Sequence, residues 1–150
     1  MVRLSVAGDP LFEPCPLDLE RGGISYAIDT VKALRERHPQ DRLSFIIGMD
    51  SLRELHHWHK IEEMLTLCDF ITVARPGVEV PTSAVSLAFS APVRTRLLDQ
   101  VIQGRLCDIS SSEIRRRIAE GRSIRYLVCP AVEAYIRDCG LYAPTGKKEE

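Results

Sequence analysis

Apolar positions along this chain follow two rhythms. Leu43-Ser44-Phe45-Ile46-Ile47 and Phe70-Ile71-Thr72-Val73-Ala74 are short, largely apolar and rich in β-branched and aromatic residues, which predicts buried strands. Near-continuous apolar runs of this length suit parallel strands covered on both faces. A breaker closes each one, Gly48 for the first and Arg75-Pro76-Gly77 for the second. Cys15 to Leu19 and Arg105 to Ile109 read as further strands. The other rhythm is helical. From Ser25 to Arg37, Ile28, Val31, Ala33 and Leu34 share one side and Lys32, Arg35 and Glu36 the other. His38-Pro39 stops that helix, because a residue before proline avoids the helical region. Ile61 to Leu67 predicts a shorter helix. Ser110 to Glu120 predicts one that opens with a capping box, Ser110 followed three residues later by Glu113, and stops at Gly121. Pro130 to Asp138 predicts the last, with proline at its first position and Gly140 beyond its end. Val78 to Pro92 has no clean period and reads as a loop with one short strand at most. Alternating strands and helices imply an α/β fold with parallel strands. Ligands of such sheets sit beyond the carboxyl ends of the strands. That rule points to Gly48-Met49-Asp50, Arg75-Pro76-Gly77 and Ile109 to Ser112.

Composition narrows the classes. With 150 residues, 45% of them apolar and 27% charged, the chain has the make-up of one globular domain that needs no disulfides or metals to bury a core. The expected division is a domain over 1–143 and a frayed, charged tail over 144–150. Twenty Lys and Arg against 21 Asp and Glu leave a formal charge of −1, which disfavours a globally basic nucleic-acid binder. Apolar runs fall short of the roughly 20 residues a membrane helix needs, and Asp9 interrupts the first apolar stretch, unlike a signal peptide. Five widely spaced cysteines with no CxxC pair suggest free thiols in a reducing cytoplasm.

Four segments could carry chemistry. Ile109-Ser110-Ser111-Ser112-Glu113-Ile114-Arg115 runs from a strand end into a helix start, where free N–H groups and the helix dipole favour an anion. From Glu113 to Arg125, five arginines stand against two glutamates. The same pattern also describes a serine-capped surface helix with a solvated arginine face. At Gly48-Met49-Asp50 the carboxylate can accept bonds from ribose hydroxyls, or it can N-cap the next helix. His56-His57-Trp58-His59 holds three of the four histidines and the only tryptophan. Without a neighbouring carboxylate or thiol at ligand spacing it suits stacking on a planar ring better than a metal, while Trp58 could equally be a packing residue. Ser25-Tyr26-Ala27-Ile28-Asp29-Thr30 follows Gly22-Gly23 and reads locally as an ordinary capped helix start.

Taken in order, these segments resemble the bacterial nicotinate-nucleotide adenylyltransferase family. Its Ser-Tyr-Thr-x-Asp-Thr element is similar to Ser25–Thr30, its strand-end Gly-x-Asp to Gly48-Met49-Asp50, and its Trp-containing segment to His57-Trp58-His59-Lys60. Its Arg-Pro-Gly looks like Arg75-Pro76-Gly77, its Ile-Ser-Ser-Thr-x-Ile-Arg looks like Ile109–Arg115, and Tyr126-Leu127-Val128-Cys129-Pro130 with Tyr135-Ile136 fits its C-terminal helix. The resemblance runs to Tyr142. It implies a Rossmann-like nucleotidyltransferase fold and transfer of AMP from ATP to nicotinate mononucleotide with Mg²⁺, giving deamido-NAD and pyrophosphate. It further implies that Ser111, Ser112 and Arg115 hold ATP phosphates, that Ile109 lies near the adenine, and that Gly48 and Asp50 face the adenosine ribose. Tyr26, Ala27, Trp58, His59 and Arg75 would surround the nicotinate half, with Trp58 stacked on the pyridine.

The departures are specific. The motif's threonine is Ala27 here, which removes a hydroxyl, and its last phosphate hydroxyl is Ser112. The family's first strand, Gly-rich turn and His-x-Gly-His have no match, so no catalytic residue is assigned. Met1-Val2-Arg3-Leu4 looks like the end of an internal family helix. The chain is therefore expected to correspond to roughly the last two-thirds to three-quarters of a family domain, without the first strand, which is normally central. An exposed sheet edge would then leave it weakly stable alone or self-associating. Two other readings stand beside transfer to nicotinate mononucleotide: a non-catalytic nucleotide-binding domain, and an adenylyltransferase for another phosphate acceptor such as phosphopantetheine. Calorimetry and turnover on the 150-residue chain separate them. The expected outcome is binding of ATP and nicotinate mononucleotide, with turnover at least ~100-fold below that of a relative carrying the histidine motif.

Overall fold

The computed structural model describes residues 1–74, 88–103 and 108–143. They divide into two compact units, one formed by Pro16–Asp108 and the other by Met1–Cys15 together with the chain from Ile109 onward.

In the Pro16–Asp108 unit the elements are α2 (Leu17–Arg21), α3 (Ala27–Arg37), β1 (Ser44–Gly48), α4 (Met49–Glu54), a 3₁₀ turn (Leu55–His57), α5 (Ile61–Leu67), β2 (Asp69–Val73), α6 (Ala91–Asp99) and β3 (Val101–Ile102). The strands form a parallel sheet in the order β1-β2-β3. Phe45 faces Phe70 and Ile47 faces Thr72 across the first ladder. These positions turn inward, and the core beneath them contains Ile28, Met49, Leu52, Leu55, Met64 and Leu97, each at most 1% exposed. The α/β parallel architecture read from the sequence is present, flanked by helices. One expectation fails in detail: the strands are not covered on both faces. Ile46 is 67% exposed and Ile102 53%, because within this unit the helices of the core pack on the Phe45–Ile47 side.

One strand assignment also changes. Cys15–Leu19 was read as a strand, but Leu17–Arg21 is a helix. Pro16 stands at its N-cap, the residues that follow are good helix formers, and Arg21 pairs with Asp18 at 3.2 Å one turn apart. Of the strand expected over Arg105–Ile109, residues 105–107 lie outside the described residues, and Asp108 and Ile109 are in no strand; among the described residues the third strand is Val101–Ile102. Residues 78–87 of the expected loop are likewise outside the described residues, whereas Pro92 lies in the first turn of α6. Arginines from two helices close α5: Arg35 donates to the Leu67 carbonyl at 2.6 Å and Arg96 to the Leu65 carbonyl at 2.7 Å, satisfying acceptors that a helix end leaves open.

The other unit contains α1 (Val2–Val6), α7 (Ser111–Ala119) and α8 (Pro130–Asp138). Its own small core joins Ile124, Val132 and Ile136, with Ile114 and Ile118 packed against it. Gly121, at φ +68°, ends the α7 turn in a conformation that a side chain would strain. Among the described residues no helix is long and apolar enough to cross a membrane.

Two core positions should respond in opposite directions. Leu52, fully buried, should cost about 2–5 kcal/mol when changed to Ala. Thr72 is 0% exposed and its hydroxyl has no partner, so Thr72→Val should leave stability unchanged or raise it by about 1 kcal/mol. Urea unfolding of both variants is the check.

Candidate functional site

Three clusters gather most of the candidate residues. The first sits where β1 meets α4. Gly48 is both the last strand residue and the N-cap of the helix, in extended backbone at φ −83° and ψ 164°. Met49 turns fully inward, and Asp50, next in line, is exposed in the first helical turn. The alternative in which Asp50 N-caps α4 does not hold, since Gly48 occupies that position.

The second cluster is aromatic. Tyr26 is the N-cap of α3 and 41% exposed. Its ring lies 4.3 Å from that of His59, tilted by 31°. Ala27, the next residue, packs against the core. Trp58, half-buried, meets Phe45 edge-on at 5.7 Å and Phe70 at 6.4 Å. Its ring therefore rests on the Phe45–Phe70 rung, three residues and about 10 Å of strand before Gly48. Trp58 is a packing residue with part of its surface open. The motif's hydroxyls have local duties: the Ser25 hydroxyl donates to the Asp18 carbonyl at 3.4 Å, and the Thr30 hydroxyl donates to the Asp18 carboxylate. They tie α2 to the start of α3 and so hold Tyr26 in place.

The third cluster, in the other unit, is the start of α7. The Ser110 hydroxyl accepts from the Glu113 N–H at 3.1 Å, half of the expected capping box. Glu113 binds Arg116 and Arg117 instead. Glu120 takes Arg116 and Arg122, each at 3.3 Å. Much of the positive surplus is thus spent within the helix. Arg115 stands apart from that network. It donates to the Ser112 hydroxyl at 3.2 Å, and Ser111 beside it is exposed. Ile109 is 41% exposed just before the cap. Hydroxyls, helix N–H groups and a guanidinium in one turn suit phosphate oxygens. They do not suit a resident cation, and no group of three or more His, Cys, Asp or Glu side chains gathers among the described residues. Arg75 falls outside the described chain.

Comparison with known proteins places the whole chain in a family. The sequence model of the cytidylyltransferase-like family matches residues 1–117. A protein of Pelobacter propionicus named a probable nicotinate-nucleotide adenylyltransferase is 46% identical over 95% of this chain and 72% of its own length. The chain belongs to the nicotinate-nucleotide adenylyltransferase family. A family member named likewise from Geobacillus kaustophilus is 41% identical over 97% of the chain and 62% of its own length. Among solved structures, a Plasmodium falciparum nicotinic acid mononucleotide adenylyltransferase complexed with APC superposes with a TM-score of 0.60 at 20% identity, covering 81% of this chain and 60% of that one. That likeness establishes the shared nucleotidyltransferase fold. The chain thus spans between about three-fifths and three-quarters of the length of these adenylyltransferases.

Sequence reasoning missed Lys60, which carries the turn between Trp58, His59 and α5 at φ +52°; a lysine there gives no turn signal. In α7, hydrogen bonding to Arg116 holds the Glu113 carboxyl below its usual range. A lowered folded-state value stabilises the fold above the ordinary carboxylate range, and that contribution is lost as pH falls through the folded value. Acid titration followed by circular dichroism should show helix loss in this range, and Glu113→Gln should flatten that part of the profile.

Proposed function

We propose that this chain performs the adenylyl transfer of its family, from ATP to nicotinate mononucleotide, giving deamido-NAD and pyrophosphate in NAD biosynthesis. The observation that carries the reading is 46% identity to a family member across 95% of the chain. In this reading the acceptor's 5′-phosphate oxygen attacks the α-phosphorus of ATP in line. A new P–O bond forms, the bond from that phosphorus to the bridging oxygen breaks, and pyrophosphate leaves with the electron pair. Such transfer relies on positioning and on stabilising developing charge rather than on a covalent intermediate.

The chain's own residues supply the two halves of that task. Ser111, Ser112 and Arg115 hold ATP phosphates, with Ile109 beside the adenine and the Gly48–Asp50 junction toward the ribose. Support comes from the hydroxyls and guanidinium collected in the first turn of α7 and from Asp50 standing exposed directly after β1. Tyr26, Ala27, Trp58, His59 and Arg75 take the nicotinate half. The ring pair of Tyr26 and His59 supports this assignment, since two aromatic rings in mutual contact at an exposed position offer an outer face on which a pyridine can stack. Mg²⁺ belongs to the ATP it accompanies. The reaction takes place in the cytoplasm.

Paired substitutions test the assignment. Arg115→Ala should weaken ATP binding about tenfold, the size expected for losing one charge-assisted bond, with little change in nicotinate mononucleotide binding. Trp58→Ala should do the reverse. Equal losses for both ligands in either variant would refute separate roles, and absence of deamido-NAD from the chain's reaction with both substrates would refute the activity.

A further inference from the structure

Among the described residues, three that are not glycine adopt left-handed backbone: Lys60, Tyr126 and Tyr142. Lys60 alone adjoins the aromatic cluster. It sits at φ +52° and ψ +39°, within a four-residue turn closed by the Ile61 N–H donating to the Trp58 carbonyl at 3.2 Å. His59 and Lys60 are the two central residues. A turn with positive φ at its third position favours Gly or Asn there. Lys60 is also the N-cap of α5, its carbonyl accepting from the Met64 N–H at 3.1 Å, and an N-cap favours Asn, Asp or Ser. A lysine has no acceptor for that place and makes no side-chain capping bond. The residue breaks two local rules at once, and a rule broken where the surroundings enforce it is a mark of function.

The surroundings do enforce it. One end of the turn is anchored by Trp58, edge-on to Phe45 and Phe70. The other is anchored by Ile61, 6% exposed in the core. Between those anchors the chain must reverse so that His59 leaves the core side and lies against Tyr26. The Lys60 charge helps to hold the Glu63 carboxyl low, but the direct partner of Glu63 is Lys32 at 2.6 Å, so charge alone does not require this backbone.

We propose that Lys60 is a positioning residue, whose left-handed backbone sets the His59 ring on Tyr26 while Trp58 stays packed, and so shapes the acceptor side of the site. The consequence for substrate rests on the reading of Tyr26 and His59 as the nicotinate half; the ring geometry does not.

The test compares Lys60→Gly and Lys60→Asn, which accept this backbone, with Lys60→Val, which resists it. The first readout is the ring-current shift of the His59 Cε1–H in proton–carbon NMR, referenced to Tyr26→Leu. The second is affinity for nicotinate mononucleotide and, separately, for ATP. Gly and Asn variants should keep the shift and melt at the same or a higher temperature. The Val variant should lose the shift and bind nicotinate mononucleotide about tenfold more weakly, with ATP affinity unchanged. If the Val variant does not fold, Lys60→Ala carries the same comparison with a smaller backbone penalty. Retention of the shift in Val or Ala overturns the proposal, as does its loss in Gly and Asn, which would make the ammonium group responsible. A chain that binds no nicotinate mononucleotide, but whose His59 shift follows the backbone as described, overturns the acceptor reading and supports the positioning role.

Discussion

Strand β1 runs into helix α4 without a loop, and the rest of the larger unit depends on that junction. Met49, Leu52 and Leu55 are all fully buried. Burial of such side chains contributes roughly 1.5–3 kcal/mol each, which pins the helix to the inner face of the sheet from its first residue. Gly48 must then be strand end and helix cap together, and Asp50 is left with the outward direction. The chain continues through the 3₁₀ turn to Trp58, whose N–H donates to the Leu55 carbonyl at 3.0 Å. From Gly48 to α5 every step is tied either to the core or to the preceding turn, so the aromatic cluster inherits its position from the strand.

The support for the other side of that cluster is polar. Asp18 engages both Ser25 and Thr30, and Arg21 as well. A short helix of five residues cannot hold itself together in water; α2 persists because one carboxylate and one carbonyl bind it to α3. Motif positions that look like ligand contacts can thus be scaffolding for them. Here Ser25 and Thr30 orient the helix start at which Tyr26 is displayed.

The most readable elements were those with punctuation. Ile61–Leu67 and Pro130–Asp138 fold with the bounds their sequence predicts, because an apolar period in the first and Pro130 with a following glycine in the second leave little freedom. Helix α7 follows from its serine cap, although Glu113 prefers arginines to the reciprocal half of the capping box. The alternation in Cys15–Leu19 mimics a strand, while Pro16 at the N-cap, the Arg21–Asp18 pair and the tertiary contacts of Asp18 decide for helix. Helix α6 shows a weaker signal, Ser90 as N-cap and Pro92 in the first turn, inside a stretch read as loop. At the candidate site, sequence order identified the clusters and the family. It could not show that Trp58 meets Phe45 and Phe70 edge-on, that His59 is the ring meeting Tyr26, or that Lys60 makes the turn. Those facts arise from packing between elements remote in sequence.

The division into two units has a consequence for biosynthesis. Residues 16–108 are contiguous and have a core of their own, so that unit can close while the ribosome is still adding the remainder. The other unit cannot. Its helix α1 packs on α8, and the Cys129 thiol reaches the Leu4 carbonyl across 125 positions of sequence. Its opening segment must wait, unpartnered, until the closing helices emerge, and bringing such distant stretches together is slow because the loop entropy is lost before any contact is gained. During that interval Leu11 and Phe12, exposed even in the finished fold at 86% and 60%, belong to a segment that assembles late although it is made early. Chaperone dependence and early proteolysis should therefore concentrate at residues 1–15.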